Sequence, residues 1–241
     1  MPDKIKVSVI GAGRFGSFFG EELSRFFDVV YYDKKKKDCV NKIYAEIEEC
    51  LKRDIIFLAV PISEIENFLI ERGTMINRKG VLVDLSSVKL KPKEYFEKYL
   101  PAENEYFLTH PLFGPDSAKF SFEGHKIALT ESRISKENDL FIRGVFEDLL
   151  KLSIIDLSAD EHDRLMAFNL SLMHHLGRTF NEMGIQELKL KMRSLNDIAR
   201  IAEFVMNDSG QLFKDFYRFN PYSLRVKENF EESFCKISSL L

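Results

Sequence analysis

Over the first two-thirds of the chain, apolar residues come in short unbroken runs, separated by segments in which they recur at helical spacing. The runs are residues 4–10 (KIKVSVI), 29–33, 54–60 (DIIFLAV), 80–85 (GVLVDL), 106–109, 126–130 and 153–157. A strand without polar alternation is buried on both faces, the mark of a largely parallel sheet covered by helices. Segments 14–27, 40–52, 63–72, 93–100 and 138–151 carry the helical pattern, and the basic run 34–37 reads as a solvated turn. This alternation predicts a doubly wound α/β domain of Rossmann type over residues 1–157.

At Ser158 the rhythm changes, and no later segment reads as a strand. Ser158 with Glu161 three residues on has the spacing of a capping box, and residues 159–183 read as one long helix. Shorter helices are expected at 185–191, 195–206, 210–219 and 223–240. The fold class is therefore α/β, with an N-terminal Rossmann-type sheet followed by an all-helical C-terminal domain over residues 158–241. No proline- or glycine-rich linker separates the halves, so the long helix itself should join them.

Composition narrows the function. Apolar residues make up 45% of the chain, enough for a packed core. The 22 phenylalanines fill that core or wall a site for a ring-shaped substrate. A formal net charge of −3 without a basic excess argues against nucleic acid as a partner. Cys39, Cys50 and Cys235 have neither pairing nor metal-ligand spacing, so a reduced protein without a metal is expected. No apolar run is long enough to span a membrane, and the chain enters a strand at once without a signal peptide. A cytoplasmic protein is the expectation.

The first run ends in Gly11-Ala12-Gly13-Arg14-Phe15-Gly16, a GxGxxG set between a strand and a helix. Gly11 permits the tight turn, Gly13 lets backbone approach a pyrophosphate, and Gly16 lets helix and strand pack closely. Asp33 ends the second strand, 22 residues after Gly11, where a carboxylate accepts from a free ribose 2′-hydroxyl and repels a 2′-phosphate. NAD is expected over NADP, although Lys34 and Lys35 are cations beside the acid that could tolerate the phosphate. Ligands of such sheets lie beyond the carboxyl ends of the strands. Those ends are Val60-Pro61, a further cofactor contact, then Asp84 to Lys89 (DLSSVK), then Thr109 to Asp116 (THPLFGPD). His110, placed before a proline in a stiff loop, is a candidate general base or a turn-capping residue.

The blocks GAGRFG, DLSSVK, THPLFGPDS, SADEHDRLMAFNLSLMHHLGR and LNDIARIAEF together resemble the prephenate/arogenate dehydrogenase family of tyrosine biosynthesis. The resemblance implies an NAD-dependent oxidative decarboxylation of prephenate to 4-hydroxyphenylpyruvate, or the matching reaction of arogenate. It also implies a homodimer formed through the helical domain. His110 falls on the family's catalytic histidine, Ser87 on a serine orienting that histidine and the substrate hydroxyl, and Arg200 on an arginine binding a substrate carboxylate. His174, twelve residues after His162, falls on a histidine near the substrate side chain. Asp116 matches a loop position that carries a gating acid in some relatives. His162 and Arg178 have structural readings beside functional ones, while His125 and His175 read as packing or surface residues. With no mutase segment before Met1 and no regulatory domain after Leu241, any feedback by tyrosine is expected at the active site. The competing expectations are another β-hydroxyacid-type dehydrogenase and a catalytically silent NAD-binding protein.

Overall fold

The computed structural model describes residues 5–35 and 42–241. Lys36 and Lys37 of the basic run, Cys39 and the first two residues of the helix expected at 40–52 lie outside the described residues.

Seven strands form one sheet in the order β2-β1-β3-β4-β5-β6-β7. They are β1 (Lys6–Ile10), β2 (Asp28–Tyr32), β3 (Ile55–Leu58), β4 (Val81–Asp84), β5 (Glu105–Pro111), β6 (Lys126–Leu129) and β7 (Ser153–Asp156). All neighbours are parallel except β5 and β6, which pair antiparallel through Thr109–Leu129, His110–Ala128 and Pro111–Ile127.

Alternate residues of the central strands feed two cores, which is why the runs carry few polar positions. Val7, Val9, Ile55, Phe57, Val81, Val83 and Phe107 face one core with Phe19 and Leu23 of α1 (Arg14–Leu23) and Ile142 of α5 (Lys136–Gly144). Ile10, Ile56, Leu58, Leu82 and Leu108 face the other. There they meet α2 (Ile47–Cys50), α3 (Ile62–Arg72) and α4 (Leu90–Tyr99). Both faces of the sheet are thus covered, as a doubly wound fold requires.

Two compact units divide the chain, Met1–Ala159 and Asp160–Leu241. The second is helical, with α7 (Met173–Glu182), α8 (Arg193–Met206), α9 (Gly210–Phe219) and α10 (Ser223–Ser238). The long helix is present as α6 (Ala159–Met166) and α7, joined by a π-helical stretch, Ala167–Leu172.

Three expectations are corrected. Among the described residues 42–52 only α2 is helical; Tyr44 instead bridges Tyr31 of β2, with its ring 6.0 Å from the Tyr31 ring. That pairing satisfies backbone groups on the sheet edge, which outweighs helix propensity there. Only Ile185–Glu187 of the 185–191 helix forms, as one 3-10 turn after Gly184 at φ +70°. Lys191 then donates to the carbonyls of Gln186 and Leu188. Finally, His110 is not in a loop beyond a strand: β5 continues through Pro111 because β6 pairs with it.

Candidate active site

Because β1, β3, β4 and β5 run parallel, their carboxyl ends share one edge. That edge gathers the Gly11–Gly16 turn, Val60-Pro61, the Asp84–Lys89 turn and His110.

The three glycines of the first turn are there for separable reasons. Gly11 sits at φ +100°, and a Cβ on it would lie 2.5 Å from the Ala59 carbonyl oxygen at the end of β3. A Cβ on Gly16 would lie 1.9 Å from the Gly11 carbonyl oxygen, so helix and turn touch through bare backbone. Gly13 is different: a Cβ there would meet nothing within 4 Å. No atom of the described residues explains its missing side chain, and it stands as N-cap of α1 without a side-chain cap. An uncapped helix start with open space before it is the physical requirement for an anionic group against backbone amides. This helix start therefore fits a dinucleotide pyrophosphate.

Around this turn, Asp33 accepts the Lys35 backbone N–H through Oδ1 at 2.8 Å. Lys34 is drawn away to Glu64 of α3, 2.6 Å from its carboxylate. Arg14 forms an ion pair with Asp116 of the HPLFGPD loop. Phe15 is half-buried and stacks on Phe19 at 5.6 Å, so much of its ring serves the core. Val60 is half-buried, and Pro61 stands exposed as N-cap of α3.

Behind His110 lies a buried polar network that motif reading did not single out. Asp84 and Lys89 form an ion pair with both side chains fully buried. The Lys89 ammonium also donates to the Thr109 carbonyl at 2.6 Å and to Ser86 Oγ at 3.1 Å. Thr109 Oγ1 donates to the Asp84 carbonyl at 2.8 Å. Ser86 is spent inside this network, 2.9 Å from Asp84 Oδ2, whereas Ser87 is only half-buried on the same turn. His110 itself is 7% exposed. The signal was available: an acid ending a strand with a lysine five residues later.

In the helical unit, His174 of α7 is 3% exposed. Phe216 meets its ring edge-to-face at 5.0 Å, and Phe213 stacks at 6.5 Å. Its Nε2 lies 3.5 Å from Asp208, while its Nδ1 has no hydrogen-bond partner among the described residues. Burial, and secondarily the Arg178 guanidinium, lower its pKa to about 4. Arg178 donates to the Val205 and Asp208 carbonyls, tying α7 to the end of α8. Arg200 projects from the exposed side of α8, its guanidinium 4.0 Å from Asp197. His162 is fully buried with Nδ1 2.8 Å from Asp163. His125 packs 5.2 Å from Phe113, and His175 lies beside Phe213 and Tyr217. Among the described residues there is no cluster of metal-ligating side chains, and no helix is long and apolar enough to cross a membrane.

Residues 27–149 match the family model for the nucleotide-binding domain of prephenate dehydrogenase, and residues 179–241 match a model described as TYRAAT1-like, C-terminal domain. Arogenate dehydrogenase 2, chloroplastic, from Arabidopsis thaliana is 28% identical over 95% of this chain and 68% of its own length. Arogenate dehydrogenase 1 of the same plant is 24% identical over 99% of this chain, which spans only 39% of that relative. A Saccharomyces cerevisiae protein named prephenate dehydrogenase [NADP(+)] is 25% identical over 77% of this chain and 42% of its own length. Among solved structures, Aquifex aeolicus prephenate dehydrogenase in complex with hydroxyphenyl propionate and NAD+ superposes with a TM-score of 0.78. It does so at 20% identity, covering 98% of this chain and 90% of that one, a likeness of fold.

Proposed function

The chain belongs to the prephenate dehydrogenase family, and from that we propose that it oxidatively decarboxylates prephenate to 4-hydroxyphenylpyruvate with NAD. The observation that carries this reading is the shared sheet edge, where a buried histidine and an open glycine turn lie at the ends of parallel strands. Gly11, Gly13, Arg14, Phe15, Gly16, Asp33, Val60 and Pro61 would hold the dinucleotide. When bound, the nicotinamide supplies the acceptor for the hydrogen and electron pair released at C4 of the ring.

The protein's part is to orient, desolvate and deprotonate. Neutral His110 takes the proton of the C4 hydroxyl, and Ser87 orients that hydroxyl. The bond to the ring carboxylate then breaks, its electrons complete the aromatic ring, carbon dioxide leaves, and the phenolate oxygen takes its proton back from His110. Arg200 offers a planar fork to a substrate carboxylate. Its exposed position on α8, with only a long 4.0 Å approach to Asp197, leaves the guanidinium accessible to a ligand. The unpartnered Nδ1 of His174 supports a polar contact with the substrate side chain.

NAD is proposed over NADP because Asp33 follows β2 at the spacing expected of a ribose-binding acid and Glu64 draws Lys34 away. The yeast relative's name favours NADP as the second reading, and the Arabidopsis names favour arogenate as the second substrate. We further propose a homodimer formed through the helical unit and a cytoplasmic location.

The test is a spectrophotometric assay of NADH and NADPH formation, with prephenate and arogenate run side by side. Turnover of prephenate with NAD is expected to give the highest kcat/KM. Reduced cofactor with neither acid would sink the reading.

A further inference from the structure

The Asp84–Lys89 pair lies outside the substrate- and cofactor-binding residues proposed above, yet it is the most thoroughly buried lysine– or arginine–carboxylate pair among the described residues. Both side chains are wholly excluded from solvent. Such a pair gives little net stability, because desolvating two charges offsets their attraction, and an apolar pair of equal volume often packs as well. What this pair supplies is connection. The ammonium has three protons, and it donates to acceptors in three places of the chain: Asp84 at the end of β4, Ser86 in the turn, and the Thr109 carbonyl in β5. That carbonyl belongs to the peptide bond that carries the His110 nitrogen. Thr109 closes the loop by donating from Oγ1 to the Asp84 carbonyl at 2.8 Å. Ser87 lies between Ser86 and Val88 on the same clamped turn.

We propose that the buried Asp84–Lys89 pair, clamped to Thr109, is a positioning device that fixes the His110 imidazole and the Ser87 hydroxyl relative to each other. The inference rests on His110 being the base. Lys89 touches neither substrate nor cofactor in this scheme; it acts through the Thr109–His110 peptide. A base must be held within about 0.5 Å of its productive geometry, and a backbone anchored by a charge-assisted bond is stiffer than one held by packing alone.

The decisive experiment compares the full-length chain with K89M, D84N/K89M, T109V and H110A, measuring kcat, KM, NADH affinity and thermal midpoint. K89M leaves Asp84 buried without its cation, so it should lose both stability and turnover. In D84N/K89M no charge is left unpaired, and the thermal midpoint should return towards the parent value. Its kcat should nevertheless stay at least 10-fold down, with KM and NADH affinity within 3-fold. T109V removes only the hydroxyl clamp and should lower kcat several-fold with a near-parent midpoint; it decides the matter if the double variant does not fold. Recovery of kcat in step with the midpoint in D84N/K89M, or parent-level kcat in T109V, overturns the positioning role. Near-parent turnover by H110A overturns the base assignment, and the positioning role with it. Loss of turnover in H110A alongside full kcat in D84N/K89M overturns the positioning role alone.

Discussion

Gly13 and Gly16 sit three residues apart on one turn, and the space around them sets opposite expectations for the same substitution. Gly16→Ala forces a Cβ to 1.9 Å from the Gly11 carbonyl, backbone against backbone, so turn or helix must move. The helix-propensity gain of about 1 kcal/mol for Ala over Gly is outweighed by overpacking of about 1–3 kcal/mol or more. Gly13→Ala meets nothing, and its φ of −69° suits alanine. Its apo stability should stay within about 0.5 kcal/mol of the parent, while NAD affinity falls at least roughly tenfold, about 1.4 kcal/mol. Calorimetric titration with NAD, beside a denaturant melt of the apo protein, separates the two. Unchanged NAD affinity in Gly13→Ala would remove the turn from the cofactor site. For His110, replacement by Ala should lower kcat by roughly 10²–10⁴ with NAD affinity intact, as steady-state kinetics beside NADH binding will measure.

At the scale of elements, α7 carries both a stability prediction and the limit of what the sequence disclosed. Its His174 is held neutral by burial and, secondarily, by the Arg178 guanidinium, and its pKa falls from 6.5 to about 4. Between those values the unfolded chain binds more protons than the folded one, so stability rises with pH. The His174 contribution is complete above about pH 6.5 and is lost as pH falls towards 4. About 2 kcal/mol of unfolding free energy should disappear between pH 7 and pH 5, and His174→Gln should remove most of that slope in urea melts at the two pH values. The period of apolar positions in residues 159–183 was enough to predict the long helix, and the glycine spacing was enough to predict the nucleotide turn. The π-helical stretch Ala167–Leu172 was not legible, since i→i+5 bonding leaves no separate mark on composition. Nor was the antiparallel β5–β6 pairing that turns His110 from a loop residue into a strand residue, because register is decided by a partner 18 residues away. Asp84 and Lys89 were both in view as letters of DLSSVK. Their burial as a pair depends on β5 covering them, which no local pattern reports.

For the molecule as a whole, the helical unit carries exposed large apolar side chains, among them Phe204, Phe234 and Ile237. Along α10, Val226, Phe230, Phe234 and Ile237 recur at spacings of four, four and three, a single stripe on a helix. The stripe begins buried at Val226 and runs out to Phe234 and Ile237, which are 63% and 65% exposed. Phe230 and Phe234 already meet at 6.2 Å, so the stripe is ordered before anything covers it. An ordered aromatic stripe costs little entropy on docking, and buried aromatics are the anchors that dominate protein–protein affinity. Under the proposed homodimer, charge at the two most exposed positions should act on association without touching the nucleotide domain. Phe234→Glu with Ile237→Glu should weaken self-association by about 100-fold, equal to about 2.7 kcal/mol, while NADH binding to the Rossmann half stays as it was. Sedimentation velocity across a concentration series reads the first quantity and fluorescence titration with NADH the second. A parent chain that sediments as a monomer at the highest concentration, or a double variant that still dimerises as tightly, would place the interface elsewhere or dissolve it. Should dimerisation and turnover fall together while NADH binding holds, the helical unit contributes to catalysis through its assembly, beside the role proposed for Arg200.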